Sequence, residues 1–157
     1  MKLTEHFALE EFTFSSTAIA RDINNSITNQ RVIDNLTNLC EQVLEPLRDY
    51  INQPITISSG YRCKALNKAV GGASNSQHMT GEAADIHIPL YDFKDSAGNR
   101  LTNIEKARQW MQWLTDNTDF DQLILETSNR KIFWIHVSCK RNRRLNRHQV
   151  IRFMKKD

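Results

Sequence analysis

The sequence predicts an α+β protein with a mostly antiparallel sheet and helices packed on one face of that sheet. Two separate blocks carry apolar residues at three- and four-residue steps, which is the period of an amphipathic helix. Other segments alternate apolar and polar residues, as half-buried strands do, and two of them, 119–126 and 131–139, predict a hairpin around residues 127–130. Helices in two blocks and strands in a group favour the α+β class.

The first helical block begins after Thr28, which we expect to cap it, and its apolar stripe runs to Ile51. Pro46 lies inside this block and should kink or split the helix, since proline removes one intrahelical hydrogen bond. The second block opens with Thr102 and Glu105, which have the spacing of a capping box.

Length and composition indicate one ordinary domain over residues 1–157. The chain is 39% hydrophobic and 25% charged, and it has no apolar run long enough for a membrane span. Its three cysteines form no CxxC motif, and Cys40 and Cys139 lie on apolar faces. We therefore expect small core residues at these two positions and no disulfide framework.

The two ends of the chain differ in character. Residues 1–27 predict an N-terminal arm, packed through Phe7, Leu9, Phe12 and Phe14. Residues 140–157 carry a net charge of +7 against −4 for the rest, and they predict a basic strand followed by a tail. This segment either attracts anionic polymers or is a solvated edge strand, and the edge strand is the favoured interpretation.

Alternation in two distant segments places chemically active side chains on one sheet face. In residues 84–88, Asp85 and His87 share the polar face, and in residues 133–139 that face holds Trp134, His136 and Ser138. If these strands are neighbours, Asp85 and His136 lie side by side.

The loop before Asp85 supplies another imidazole. His78 precedes Asp85 by seven residues with Gly81 between them, so the chain can reverse there. Two imidazoles and one carboxylate are a set that binds a single catalytic Zn²⁺ and leaves the fourth tetrahedral position to water. We therefore expect His78, Asp85 and His136 to be the metal ligands.

These residues belong to a pattern that resembles the zinc D-alanyl-D-alanine carboxypeptidase and L-alanyl-D-glutamate endopeptidase group. The resemblance runs from about His6 to Cys139 and is weaker at the front. Its motif comprises SSGYR at 58–62, Asn67, Val70-Gly71-Gly72, Ser76, His78, Gly81, Ala83, Asp85 and the run WIHVS at 134–138.

The resemblance implies a hedgehog-like zinc fold and hydrolysis of peptide bonds in peptidoglycan by a bacterial or phage enzyme. By this likeness His78, Asp85 and His136 correspond to the zinc ligands, and Arg62 corresponds to the clamp on the substrate carboxylate. Trp134, on the same face as His136, should form a wall of the site. Ser76 either binds the substrate backbone or only its own loop.

The chain departs from the family at the general base. Many members have an acidic residue three positions before the last zinc histidine, whereas this chain has Phe133 there. In the hedgehog-like branch a glutamate ends the preceding strand, and Glu126 matches that placement. The likeness therefore implies that Glu126 is the catalytic base.

Two other classes of function remain as alternatives. The first is a non-catalytic module that keeps the zinc fold and binds a wall peptide or a protein partner, and the absence of an acid at Phe133 supports it. The second is a nucleic-acid binder that uses the basic tail, but a single aromatic residue, Phe153, lies among its charges and no series of base-stacking platforms is present, so nucleic acid is not an expected partner.

The N-terminal residues carry no apolar centre of a secretory signal. We therefore expect synthesis in the cytoplasm without a signal peptide. We also expect the protein to be a monomer. Such a protein would act on the cell wall after release, as a phage endolysin does, or as part of a virion.

Overall fold

The structure is a computed structural model, and it describes residues 1–89, 93–94, 96–128 and 131–155. Among these residues it has six α-helices and seven strands. The helices are α1 (Leu9–Thr13), α2 (Ser16–Ala20), α3 (Gln30–Leu39), α4 (Glu45–Ile51), α5 (Lys64–Ala69) and α6 (Asn103–Asn117). The strands are β1 (Ile57–Ser59), β2 (Ala83–Ile88), β3 (Phe93–Lys94), β4 (Arg100–Leu101), β5 (Gln122–Ser128), β6 (Ile132–Ser138) and β7 (Gln149–Lys155).

Five strands form the main sheet, in the order β1-β2-β6-β5-β7. The pairs β1/β2, β2/β6 and β5/β6 are antiparallel, while β7 pairs with β5 in parallel. The strands β3 and β4 make a separate two-stranded ribbon. The predicted mostly antiparallel sheet is therefore confirmed, with a parallel edge strand that the sequence did not indicate.

One face of the sheet is covered by helices, as predicted. Ile86, Ile135 and Leu125 point from three adjacent strands into a core that also contains Leu36 of α3 and Met111 of α6, and all five side chains are buried. The opposite face carries the polar alternates of the same strands. The α+β class is confirmed, and the division of the sheet into an apolar and a polar face leaves the polar face for chemistry.

The first helical block is interrupted as the proline predicts. Helix α3 gives way to a π-helical segment, Cys40–Leu44, before α4 begins with Pro46 in its first turn. A wider turn and a new helix start both accommodate a residue that has no N–H. The cap is Asn29 and not Thr28, because the Asn29 side chain accepts a hydrogen bond from Arg31 N.

The N-terminal arm packs on the domain through fewer residues than predicted. Phe7 and Phe12 are buried in the main core and Leu9 is partly buried against it. Phe14 is 66% exposed, so its prediction as a packing residue was wrong. The side chain of Phe14 lies beyond the end of helix α1, which buries only Phe12.

The basic C-terminal segment enters the sheet as an edge strand. Gln149 of β7 lies beside Gln122 of β5, and the chain before β7 is held by ion pairs of Arg143 with Asp119 and of Arg147 with Asp121. Two of its charges are therefore compensated. No helix in the described ranges combines the length and the apolar character that crossing a membrane requires.

The remaining structural predictions are tested over part of their length. Cys40 and Cys139 are buried and free, as expected. The polar run from Tyr91 to Leu101 predicts a loop, and the structure has β3 and β4 within it, while residues 90–92 and 95 lie outside the described ones. Residues 129–130 of the predicted β5–β6 turn also lie outside them.

Candidate metal centre

The sheet brings the predicted metal ligands together. Asp85 of β2 lies directly opposite His136 of β6, and His78 lies on the short 3-10 helix Gln77–Thr80 that precedes β2. One potential ligand atom from each of the three residues lies within 4.8 Å of the other two. The prediction that strand alternation would place Asp85 beside His136 is confirmed.

The spacing of the donor atoms fits a small divalent cation. His136 Nδ1 and His78 Nε2 lie 3.1 Å and 3.4 Å from Asp85 Oδ1. Four ligands around zinc, with bonds of about 2.0–2.1 Å, are separated from one another by about 3.3 Å in tetrahedral geometry. The observed separations agree with that value, so these three side chains can hold a zinc-sized ion with one further position left open.

The His78 ring is oriented by the backbone of a neighbouring loop. Its Nδ1 donates a hydrogen bond of 2.7 Å to the carbonyl oxygen of Gly60. In the neutral imidazole this bond fixes the proton on Nδ1 and leaves the Nε2 lone pair directed at Asp85. The ring is therefore in the tautomer that a metal ligand needs.

Asp85 stays ionised in this setting. Burial raises the pKa of the carboxyl, but the opposing effects of His78 and His136, through charge and hydrogen bonds, lower it to well below its usual range. The site thus presents an anionic ligand between two imidazoles.

Arg62 lies at the edge of this centre, and its guanidinium is held by three groups. Nε donates to Ser59 Oγ at 3.2 Å, Nη1 donates to Asn67 Oδ1 at 3.3 Å, and Nη2 lies 3.7 Å from Asp85 Oδ2. Burial lowers the pKa of Arg62 below its usual value, and the negative charges of Asp85 and Glu126 offset this lowering only in part. A fixed, partly desolvated guanidinium is suited to binding a carboxylate.

Asn67 is a site residue to which the sequence analysis assigned no role. It is buried, accepts from Arg62 and donates from Nδ2 to the carbonyl of Ala73 at 2.9 Å. A Cβ on Gly72 would collide with Asn67 Oδ1, so the glycine makes room for this contact. The adjacent glycines at 71–72, which belong to the family motif, are the signal that could have indicated it.

Glu126 and Trp134 form a pair on the same face of the sheet. They are opposite each other in the β5–β6 register, and the indole Nε1 donates to Glu126 Oε2 at 2.7 Å. Glu126 is buried, and both residues line the cavity that contains the metal ligands. The predicted base and the predicted wall residue therefore reach one site, and their roles stay predictions.

Ser76 acts within its own loop. Its Oγ accepts a hydrogen bond of 3.3 Å from the backbone N–H of His78 and caps the 3-10 helix. Ser76 also lines the cavity, so binding of a substrate backbone stays a prediction.

The cavity over the polar face has a volume of about 840 Å³. This lies in the range of pockets that take a drug-sized ligand, and it is enough for several residues of a peptide. Its lining contains every predicted site residue: Arg62, Ser76, His78, Asp85, Glu126, Trp134 and His136.

Comparison with known proteins supports the resemblance found in the sequence. A zinc D-Ala-D-Ala carboxypeptidase from Streptomyces albus G is 54% identical over 35 residues, which are 22% of this chain and 14% of that protein. The Peptidase M15 family model matches residues 5–112, a segment that contains Arg62, His78 and Asp85 and ends before Glu126 and His136. Because that match covers more than half of the sequence, this chain belongs to the Peptidase M15 family.

Proposed function

We propose that this protein is a zinc metallopeptidase that hydrolyses peptide bonds in peptidoglycan stem peptides. The observation that carries the proposal is the convergence of His78, Asp85 and His136 at spacings that fit one zinc ion, in a cavity also lined by Arg62 and Glu126. Family membership supports peptidase chemistry, and the Streptomyces carboxypeptidase supports zinc and a D-Ala-D-Ala substrate.

The chemistry divides among the residues according to their positions. Zinc, when bound by His78, Asp85 and His136, supplies a Lewis acid that polarises a carbonyl and acidifies water. Glu126 takes the proton of the attacking water and passes it to the leaving amine. The indole N–H of Trp134 holds the Glu126 carboxylate in place during both transfers.

Arg62 positions the substrate. Its guanidinium binds a free carboxylate of the peptide through two parallel hydrogen bonds, which fixes the scissile carbonyl over the polar face. Ser59 and Asn67 hold the guanidinium in advance, so less conformational entropy is lost on binding.

Both a D-Ala-D-Ala carboxypeptidase and an L-Ala-D-Glu-type endopeptidase are compatible with this arrangement. The test is incubation of the zinc-loaded protein with purified peptidoglycan, followed by assay of new amino groups and identification of the released products. Free D-alanine identifies a carboxypeptidase, and new internal N-termini identify an endopeptidase. Release must stop with a chelator and return with zinc. We propose that the enzyme acts on the wall as a lysin or as part of a virion.

A non-catalytic module that binds a wall peptide is the second candidate, and Phe133 in place of an acid is the observation that favours it. Such a module would bind zinc and peptidoglycan and release no amino groups. The peptidoglycan assay therefore separates the two candidates.

A further inference from the structure

We infer that Asn25, in the N-terminal arm, is a positioning residue for both the His78 imidazole and the Arg62 guanidinium. It acts through loop 60–63, and the inference rests on the proposed function for the roles of those two residues. Neither the family resemblance nor the sequence pattern assigns Asn25 any part in the site.

Asn25 holds the backbone on each side of Arg62. Its Nδ2 donates to the carbonyl of Tyr61 at 2.9 Å and to that of Thr13 at 3.0 Å, and its Oδ1 accepts from Cys63 N at 2.7 Å. The residue is only 7% exposed, and all three of these bonds go to backbone. Since Tyr61 and Cys63 are the neighbours of Arg62 in the chain, Asn25 fixes the segment from which the guanidinium extends.

Loop 60–63 also contacts the arm directly at Gly60 and Tyr61. Tyr61 N donates to Phe12 O at 2.7 Å, and a Cβ built on Gly60 would lie 2.5 Å from Phe12 Cα and 2.6 Å from Phe12 O. Only glycine allows this approach of two backbones. The position of the Gly60 carbonyl is thus set by contact with the arm.

Loop 60–63 is joined to His78 in both directions. Gly60 O accepts from His78 Nδ1 at 2.7 Å, and Arg62 N donates to His78 O at 3.1 Å. A shift of the loop therefore changes the orientation of the metal ligand and of the substrate clamp together. Asn25 is the side chain that ties this loop to the arm.

A merely structural role for Asn25 would have a different signature. Burial of Phe7 and Phe12 anchors the arm independently of Asn25, so loss of the amide should leave the arm attached. A structural role would lower thermal stability alone. A positioning role also changes zinc affinity and the discrimination between peptides with a free and with an amidated C-terminus.

The experiment compares Asn25→Ala with the matched control Asn24→Ala. Asn24 is the exposed neighbour, and within the described part of the chain its side chain bonds to Ser26 alone. Zinc affinity is measured by competition with a chromogenic chelator, and kcat and KM are measured on D-Ala-D-Ala peptides with free and amidated C-termini. We expect Asn25→Ala to weaken zinc binding about tenfold and to raise KM for the peptide with a free C-terminus about tenfold. Losses of this size follow when the hydrogen bonds that orient a metal ligand are removed. Asn24→Ala should change neither value.

Gly60→Ala is a second variant that tests the same contact from the other side. Its Cβ should push the loop away from Phe12 and reproduce both effects. If either variant is unfolded by circular dichroism at the assay temperature, Asn25→Ser, which keeps a small polar side chain, is measured at a temperature at which it is folded. Folded variants that retain the zinc affinity and peptide discrimination of Asn24→Ala overturn the inference.

The outcome is distinguishable from failure of the proposed function. If the wild-type protein releases nothing from peptidoglycan or peptides, the peptidase proposal fails. The zinc affinities still decide whether Asn25 positions His78. The NMR resonance of Arg62 Nε–H in the zinc-free protein decides whether Asn25 positions the guanidinium, and Arg62→Lys serves to assign that resonance. A displaced Arg62 loses its bond to Ser59, so its resonance shifts.

Discussion

The direction in which residue 126 points explains how a chain with Phe133 can still hold a carboxylate at its metal centre. Successive side chains of β6 alternate, so Phe133 points to the core and is buried there, while His136 points to the polar face. Glu126 on β5 lies opposite Trp134, on the polar face. In this register an acid at position 133 would face the core, whereas Glu126 on the neighbouring strand lines the cavity.

Replacement of Glu126 tests this assignment. Glu126→Gln removes the proton acceptor and keeps the shape of the side chain, so we expect turnover to fall at least about a hundredfold while one zinc ion stays bound. Zinc content by elemental analysis and kcat on a peptide substrate are the measurements. Undiminished turnover would mean that another group serves as the base.

Replacement of Arg62 tests the clamp. Arg62→Lys keeps the positive charge but loses the planar fork that bonds to Ser59 and Asn67. We expect KM for peptides with a free C-terminal carboxylate to rise about tenfold and kcat to change less. Peptides with an amidated C-terminus are the control, and an equal rise in KM for both substrates would exclude a carboxylate clamp.

Residue positions were predictable from sequence where strand alternation fixes them. Asp85 and His136 were placed side by side because both lie on polar faces of apolar strands, and their pairing is confirmed. The partners of Arg62 could not be predicted in this way. Asn67 and Asn25 reach Arg62 or its loop from separate segments, and no period in the sequence relates those segments.

At the level of secondary structure, the local sequence predicted where helices begin and break, but it did not predict every pairing of the strands. The Thr102 capping box and the interruption at Pro46 are both confirmed. The parallel pairing of β7 with β5 was not predicted, because it depends on a connection from β6 that passes the start of β5 and places β7 on its other side. Asp121, immediately before β5, holds that connection.

The Asp121 contact makes stability depend on pH. Burial raises the pKa of its carboxyl, but hydrogen bonds from Arg147 and Gln77 lower it by more. The pKa of Asp121 therefore falls from 3.8 to about 2. A carboxyl with a lowered folded-state pKa stabilises the fold above its unfolded pKa, and this contribution is lost as pH falls through the folded value. The ion pair therefore weakens between about pH 4 and pH 2.

Asp121→Asn tests this dependence in zinc-free protein, so that zinc binding adds nothing to the free energy of unfolding. At pH 6 we expect the free energy of unfolding of the variant to be about 1–2 kcal/mol lower than that of the wild type. The loss is no larger because solvent screens the half-exposed Arg147. The difference should shrink as pH falls to about 2. Urea denaturation gives the free energies of unfolding. A difference that is constant from pH 6 to pH 2 would contradict the prediction, and Asp116→Asn on α6 is the exposed control.

At the scale of the whole molecule, the fold separates support from chemistry. Helices α3, α4 and α6 cover one face of the sheet, and the N-terminal arm braces the loop that carries Arg62. The other face is left for the cavity and for the predicted metal ligands, of which His78 and His136 are 58 residues apart in the chain. The α+β class was predictable from hydrophobic periodicity and the family resemblance from motifs, whereas the contacts of the arm with loop 60–63 join distant segments that no period in the sequence relates.

The most direct test of the metal centre is zinc stoichiometry in single-site variants. His78→Ala, Asp85→Ala and His136→Ala are compared with the wild type and with His6→Ala, in which the replaced histidine bonds to Glu45 far from the site in the chain. After dialysis against excess zinc and removal of free metal, elemental analysis should give one zinc per chain for the wild type and for His6→Ala. It should give almost none for the three ligand variants, and a full equivalent of zinc in a folded ligand variant would contradict the account.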